Sequence, residues 1–151
     1  MTEPNSESIA IGVPISGIVI QVPVQVGDPV KKDDPLFFID DREAAAQVAK
    51  TKALVNQRNA EWENNKDQLS IYADITNARA VSQDERNQRG RAVEVAKAVL
   101  DAAKSDLDAS RTRLNLHTVR APIDGVVMTM NLRVGQFAPA GETNTPLRSW
   151  G

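Results

Sequence analysis

One strand grammar occurs twice in this chain, once near each end, and any fold must bring the two copies to terms with each other. The first copy reads Pro14-Ile15-Ser16-Gly17-Ile18-Val19, followed by Val26-Gly27-Asp28-Pro29-Val30. The second reads Pro122-Ile123-Asp124-Gly125-Val126-Val127, followed by Val134-Gly135-Gln136. A single offset relates them without a gap (122 − 14 = 108 and 134 − 26 = 108). Two half-domains of like shape are therefore expected to fold against each other, while the long stretch between them leaves the β unit and returns to it. Such a plan favours a protein that reaches and docks over an enzyme.

The intervening stretch has the composition of helices. The chain of 151 residues is 41% hydrophobic and 25% charged, yet only 4% aromatic. So little aromatic bulk argues against one large core, and the Ala-rich middle argues for long, thin helical packing in which small residues let helices approach closely. The formal net charge of −2, with both signs mixed, leaves no basic field to attract nucleic acid or an anionic membrane. There is no cysteine, so disulfides, thiolate metal sites and a cysteine nucleophile are excluded. The longest apolar runs, such as Leu36-Phe37-Phe38-Ile39, are too short to span a bilayer. Residues 1 to 8 are polar with no hydrophobic signal region, so any signal or anchor of the natural product lies outside this sequence.

Along the chain, 1–8 read as a disordered tail and 9–40 as the first β half-motif. Ile18, Ile20, Val22, Val24 and Val26 keep period-two spacing, which predicts that they share one buried sheet face. Gly27-Asp28 supplies a hairpin turn, and Val30 to Leu36 forms another with Lys31 and Lys32 in solvent. At Asp40 the period changes. Asp40-Asp41-Arg42-Glu43 reads as a capping box opening a first helix that runs to about Ile75. Its seam residues Val48, Val55, Trp62 and Leu69 recur in heptads, with Lys52, Asn59 and Lys66 expected at the weaker positions between them. A break near Thr76-Asn77 precedes a second capping box at Ser82-Gln83-Asp84-Glu85. The return helix carries the clearer stripe: Val93, Ala96, Leu100, Ala103, Leu107, Ser110 and Leu114. Helices of roughly 35 residues at ~1.5 Å rise per residue make a hairpin on the order of 50 Å long, occupying 41–117. Gly90 is expected to loosen its far end. The second half-motif fills 118–151.

Val119-Arg120-Ala121-Pro122-Ile123-Asp124-Gly125-Val126-Val127, with Val134-Gly135-Gln136 downstream and Gly27-Asp28-Pro29-Val30-Lys31-Lys32 upstream, resembles the signature of HlyD-like membrane fusion proteins, the periplasmic adaptors of efflux pumps and type I secretion systems. The resemblance runs from Ile9 to Leu147. It implies an α+β fold: a split biotinyl/lipoyl-like barrel-sandwich hybrid with an inserted antiparallel two-helix coiled-coil hairpin. It also implies a periplasmic protein, anchored to the inner membrane in its full-length form. Its hairpin tip would meet an outer-membrane channel of the TolC type, and parts outside this chain would meet an inner-membrane transporter. Assembly into a ring or dimer is implied as well. Adaptors of this family also carry a β-barrel domain and a membrane-proximal domain, so the chain resembles a fragment. Family tips that dock TolC-type channels show Arg, then Leu four residues on, then Ser seven further. Aligned on Ser82, this chain has Ile75 at the Leu position and Ile71 at the Arg position, with Arg79 and Arg86 as the other sources of positive charge.

Other chemistry has a plainer reading. A biotin or lipoate carrier needs a modifiable lysine at the turn joining the half-motifs, where this chain has its helical insertion; Lys31 and Lys32 lie inside the first half, so no cofactor is expected. His117, the single histidine, falls at the end of the second helix, where it suits the dipole and cannot by itself complete a zinc site. No serine lies on a Gly-flanked elbow for a triad. The pairs Asp33-Asp34 and Asp40-Asp41 fall at a turn and a cap, and Trp62 reads as a seam filler. The chain is expected to be non-enzymatic. Two rival readings stay open: a biotinyl/lipoyl carrier domain, and a coiled-coil envelope scaffold without a transport role.

Overall fold

Gly27 and Gly135 make the same turn in the two copies. In the computed structural model, which describes residues 8–75 and 83–149, Gly27 has φ 92° and Gly135 φ 88°, the left-handed region open to glycine at the third position of a type II turn. The turns close through Asp28 N–H to Gln25 O (3.0 Å) and Gln136 N–H to Arg133 O (3.0 Å). A side chain braces each: Asp28 Oδ2 accepts from Gln25 N–H at 2.8 Å, and Gln136 Oε1 accepts from Arg133 N–H at 3.1 Å.

The elements are β1 (Ser8–Val13), β2 (Gly17–Gln21), β3 (Pro29–Val30), β4 (Pro35–Ile39), α1 (Arg42–Ile75), α2 (Gln83–Asn115), β5 (Thr118–Arg120), β6 (Gly125–Val127), β7 (Phe137–Ala138) and β8 (Gly141–Ser149). They divide into two units, one built from both chain ends through Glu43 and from Arg113, the other from Ala44–Thr112. In the first unit the strands form two sheets, ordered β1-β8-β6-β3 and β5-β4-β2-β7. The repeat offset maps β1 onto β5, β2 onto β6, β3 onto β7 and β4 onto β8, and this mapping converts one sheet order into the other. The β unit therefore has an internal two-fold relation, and each sheet mixes strands from both halves.

The hydrogen bonds obey the same relation. Gly27 N–H donates to Val127 O (2.7 Å) and Val127 N–H to Asp28 O (3.0 Å); reciprocally, Gly135 N–H donates to Val19 O (2.7 Å) and Val19 N–H to Gln136 O (2.8 Å). The edge strands pair likewise, Val30 with Gly125 and Gly17 with Ala138. The core follows suit, since Ile11 and Val119, Val13 and Ala121, Val19 and Val127, and Val30 and Ala138 are all buried and related by the repeat offset. Asp33 stands at φ 73° where the second copy has Gly141 at φ 121°, and aspartate is one of the few residues that tolerates this region.

The expected buried face of the first hairpin needs correcting. Val19 is fully buried, whereas Ile18, Ile20 and Val26 are 42%, 46% and 60% exposed; Val22 and Val24 pack half-buried against the core. Period two holds only inside a strand, and β2 stops at Gln21, with a register shift between Val19 and Gln21. Which parity faces inward is set by Gly17. A Cβ built there would stand 2.5 Å from Ile39 Cγ2, so the Gly17/Val19 side is the close-packed one. A register shift between Pro35 and Phe37 in β4 accompanies the burial of the consecutive residues Leu36 and Phe37.

Chain departure and return are pinned on the β unit. Ile39 N–H donates to His117 O (2.7 Å) and Asp40 N–H to Ile18 O (2.7 Å). Asp40 Oδ1 accepts from the Arg42 backbone N–H (3.1 Å), capping α1, and its carboxylate also pairs with the Arg42 guanidinium at 2.8 Å. His117, just past α2, turns Nδ1 to Arg113 O (2.9 Å) and donates its backbone N–H to Leu114 O (3.1 Å). Lys31 and Lys32 are exposed, and the Lys32 N–H donates to Asp124 Oδ1 across the two halves at 2.6 Å.

Two glycine substitutions should move stability in opposite directions. Gly17→Ala forces buried Ile39 to shift and should cost about 1–3 kcal/mol in chemical denaturation. Gly90→Ala, in a helix with nothing within 4 Å of the added Cβ, should stabilise by about 0.5–1 kcal/mol. Asp40 generates a pH prediction. Hydrogen bonds from Arg42, with the Arg42 and His117 charges behind them, hold its carboxyl below the ordinary value of 3.8 against a smaller opposing effect of desolvation. Its contribution is therefore complete above the unfolded value and lost as pH falls through the lower folded one. Asp40→Asn should lower the melting temperature at pH 7, and the gap to wild type should close as pH is taken below about 4.

Candidate docking surface on the helical hairpin

The seam of the hairpin changes character along its length. On α2 the stripe read from sequence is the one that packs: Leu100, Ala103, Leu107 and Ser110 are buried, while Val93, Ala96 and Leu114 are half-buried. On α1 Val48, Val55, Trp62 and Leu69 are half-buried as expected. The positions between them differ from expectation. Thr51, Arg58, Asn65 and Tyr72, three residues on, turn inward, and Lys52 and Asn59 stay exposed. Heptads alternate three and four residues; with polar side chains at both choices, the one-dimensional pattern is symmetric and only the partner helix selects.

Thr51 shows why the inward choice works. Its Oγ1 reaches Gln47 O (3.0 Å), Val48 O (3.1 Å) and Ser110 Oγ (3.1 Å), and Ser110 Oγ in turn donates to Asp106 O (2.8 Å). A buried hydroxyl pair is thus satisfied at the base of the hairpin. Farther out, the Trp62 ring carries two lysines, Lys66 Nζ at 3.8 Å and Lys97 Nζ at 4.8 Å from its centroid; the indole fills the seam and binds cations at once. Farther still, Arg89 donates to Gln68 Oε1 (2.6 Å) and Tyr72 Oη (3.0 Å) while its guanidinium lies 4.4 Å from the Tyr72 ring centroid. Sequence reading missed Arg89, although it continues the three-four alternation backwards from Val93 and Ala96; an arginine does not register as a seam residue until its partners are known. The three contacts Thr51–Ser110, Trp62–Lys97 and Tyr72–Arg89 define an antiparallel register.

Of the five candidate docking residues, that register carries Ile71, Ile75 and Arg86 to the far end of the described hairpin. Ile71 is 55% exposed on α1, an apolar side chain presented to solvent. Ile75 is the last residue of α1, and Arg86, in the first turn of α2, is exposed. Arg79 and Ser82 lie outside the described residues, as do the expected break at Thr76-Asn77 and the capping serine. The seam near this end is polar, and α2 has Asp84 and Glu85 in its first turn, which suits the helix dipole. Among the described residues no group of three or more His, Cys, Asp or Glu could hold a metal ion, and no helix is long and apolar enough to cross a membrane.

Comparison with known proteins was made against this geometry. A proposed efflux transporter of Bacteroides eggerthii is 26% identical, with a TM-score of 0.61 over 96% of this chain and 40% of the other. The membrane fusion protein Spr0693 of Streptococcus pneumoniae R6 shares 18% identity and a TM-score of 0.70, over 98% of this chain and 61% of that one. ZneB of Cupriavidus metallidurans shares 19% identity and a TM-score of 0.63, over 95% and 61%. The chain thus spans from 40% to 61% of the length of these structures, and the last two bear on fold alone. Residues 7–143 match the family described as the CzcB-like, barrel-sandwich hybrid domain. With its two interlocked half-motifs and inserted helical hairpin, the chain belongs to that family.

Proposed function

We propose that this chain is the hub and hairpin of a periplasmic adaptor, a non-enzymatic protein that bridges an inner-membrane transporter and an outer-membrane channel of the TolC type for drug efflux or secretion. In its full-length form the adaptor is held at the inner membrane and meets the transporter through parts beyond this chain. The observation that carries the reading is the site of the insertion. The helical hairpin occupies the junction between β4 and β5, the connection between the two half-motifs, where a carrier domain of this fold would present its modifiable lysine. A module that has exchanged that turn for paired helices of 34 and 33 residues is built to span distance. Its β unit is interlocked, because each half is hydrogen-bonded through the other.

The hairpin end, with Ile71, Ile75, Arg79, Ser82 and Arg86, is the proposed contact with the channel. Each tip contact is small, so binding strength would come from several copies acting together in a ring or dimer. In a strain expressing the full-length adaptor, Ile71→Asp combined with Arg86→Glu should reduce resistance across a panel of exported toxic compounds to the level of the deletion strain. Wild-type resistance in that variant, at wild-type protein level and helicity, would sink the docking role. This chain carries no cysteine, so in a full-length adaptor freed of any cysteine elsewhere a direct check is open: with a bifunctional thiol-to-amine reagent, Arg86→Cys should crosslink to the channel, whereas Lys104→Cys, about midway along the hairpin, should not.

A further inference from the structure

Gly90 has no packing reason to be a glycine. It lies inside α2 with helical backbone, and a Cβ added there would meet nothing within 4 Å. Glycine is a poor helix former because it has the most backbone freedom to lose. Where α2 need only be straight, this residue weakens it for no gain in contact. Where α2 has to bend, the same freedom is useful.

The seam divides at this residue. Toward the base, Leu100, Ala103 and Leu107 are buried, and Val93 and Ala96 are half-buried. Toward the far end, residues 83–88 are all exposed, and Gln83 spends its amide on Asn87 of its own helix (3.3 Å). Arg89 is the residue of this stretch that enters the seam, where it donates to Gln68 Oε1 and Tyr72 Oη and lies on the Tyr72 ring. On α1 the seam residue Asn65 turns its amide back to Glu61 O (2.8 Å), within its own helix. The Arg89 tie is also exchangeable. Both of its acceptors are uncharged, and among the described residues no carboxylate stands within ion-pair distance of its guanidinium. A guanidinium bonds a carboxylate more strongly than it bonds an amide or a phenol.

We propose that residues 83–89 form a movable arm, pivoting at Gly90, latched shut by Arg89 on Tyr72 and Gln68, and opened when the hairpin docks its channel. A carboxylate on the channel competes Arg89 away from its neutral acceptors, and because it bonds the released guanidinium it binds the open arm more tightly than the closed one. Such a difference in affinity is what a ligand needs to shift a two-state element. Arg86, three residues nearer the end and on the same side of the helix, moves with the arm and offers a second guanidinium. The link to docking rests on the function proposed above; the hinge and latch do not.

Peptide-resolved hydrogen exchange on the full-length adaptor tests the hinge and latch. Arg89→Ala should speed exchange in 83–89 at least about tenfold while leaving 100–110 unchanged. Arg89→Lys, which keeps the charge and loses the fork, should also speed it, and Gly90→Ala should slow it about fivefold. Unchanged exchange in 83–89 on losing Arg89, or an equal rise along all of α2, would overturn the latch. No slowing in Gly90→Ala would overturn the hinge. The link to docking is read from resistance to exported toxic compounds. Gly90→Ala should lower resistance although it stabilises the fold, and Gln68→Ala with Tyr72→Phe in the same chain, which releases the latch and keeps Arg89, should restore it. Full resistance in Gly90→Ala, where Ile71→Asp with Arg86→Glu loses it, would overturn the link and leave docking standing. Full resistance in both would overturn the link together with the docking role.

Discussion

The reciprocal exchange of backbone hydrogen bonds between the half-motifs is what the rest of the structure stands on. The turn at Gly27 is closed by the strand carrying Val127, and the turn at Gly135 by the strand carrying Val19. Buried backbone donors and acceptors must be paired; β2 pairs β4 and β6 pairs β8 within the halves, but β1, β3, β5 and β7 pair only with strands of the other half. Residues separated by the whole hairpin are thereby forced together, which returns the end of α2 to the place where α1 began. The pinning of Ile39 to His117 is a local consequence.

A hub of this kind sets little constraint on what is inserted at its β4–β5 junction, and the hairpin shows a gradient of interactions. Near its base the seam is leucine, alanine and a satisfied hydroxyl pair; farther out it is indole with lysines, then Arg89 on Tyr72 and Gln68. Apolar packing is not directional, whereas the outer contacts hold their geometry through hydrogen bonds and stacking. Local ion pairs such as Arg58–Glu61, Lys66–Glu63 and Lys97–Asp101 join half-buried cations to exposed carboxylates and contribute little. The outward faces of both helices are left available to other molecules.

Much of this was legible in one dimension because the signals are periodic or repeated. The offset that aligns Pro14 with Pro122 and Gly27 with Gly135 held through strand order, turn conformation and core. The expected α2 stripe from Val93 to Leu114 also matched. The docking residues were less legible. Ile71 and Arg86 are exposed, but exposure alone does not distinguish a contact from a solvated surface.

The amino-acid order by itself determined that there are two like half-motifs, that helices separate them, and where those helices run, since glycine turns, caps and heptads are local properties of the chain. Tertiary structure alone decided which side of β2 faces inward and which polar residues of α1 enter the seam. Ile18 and Val19 are equally apolar, and Thr51 and Lys52 are both polar, so composition cannot choose between them. The choice falls to neighbours distant in sequence: Ile39, which tolerates only a glycine at position 17, and Ser110, whose hydroxyl gives Thr51 a partner.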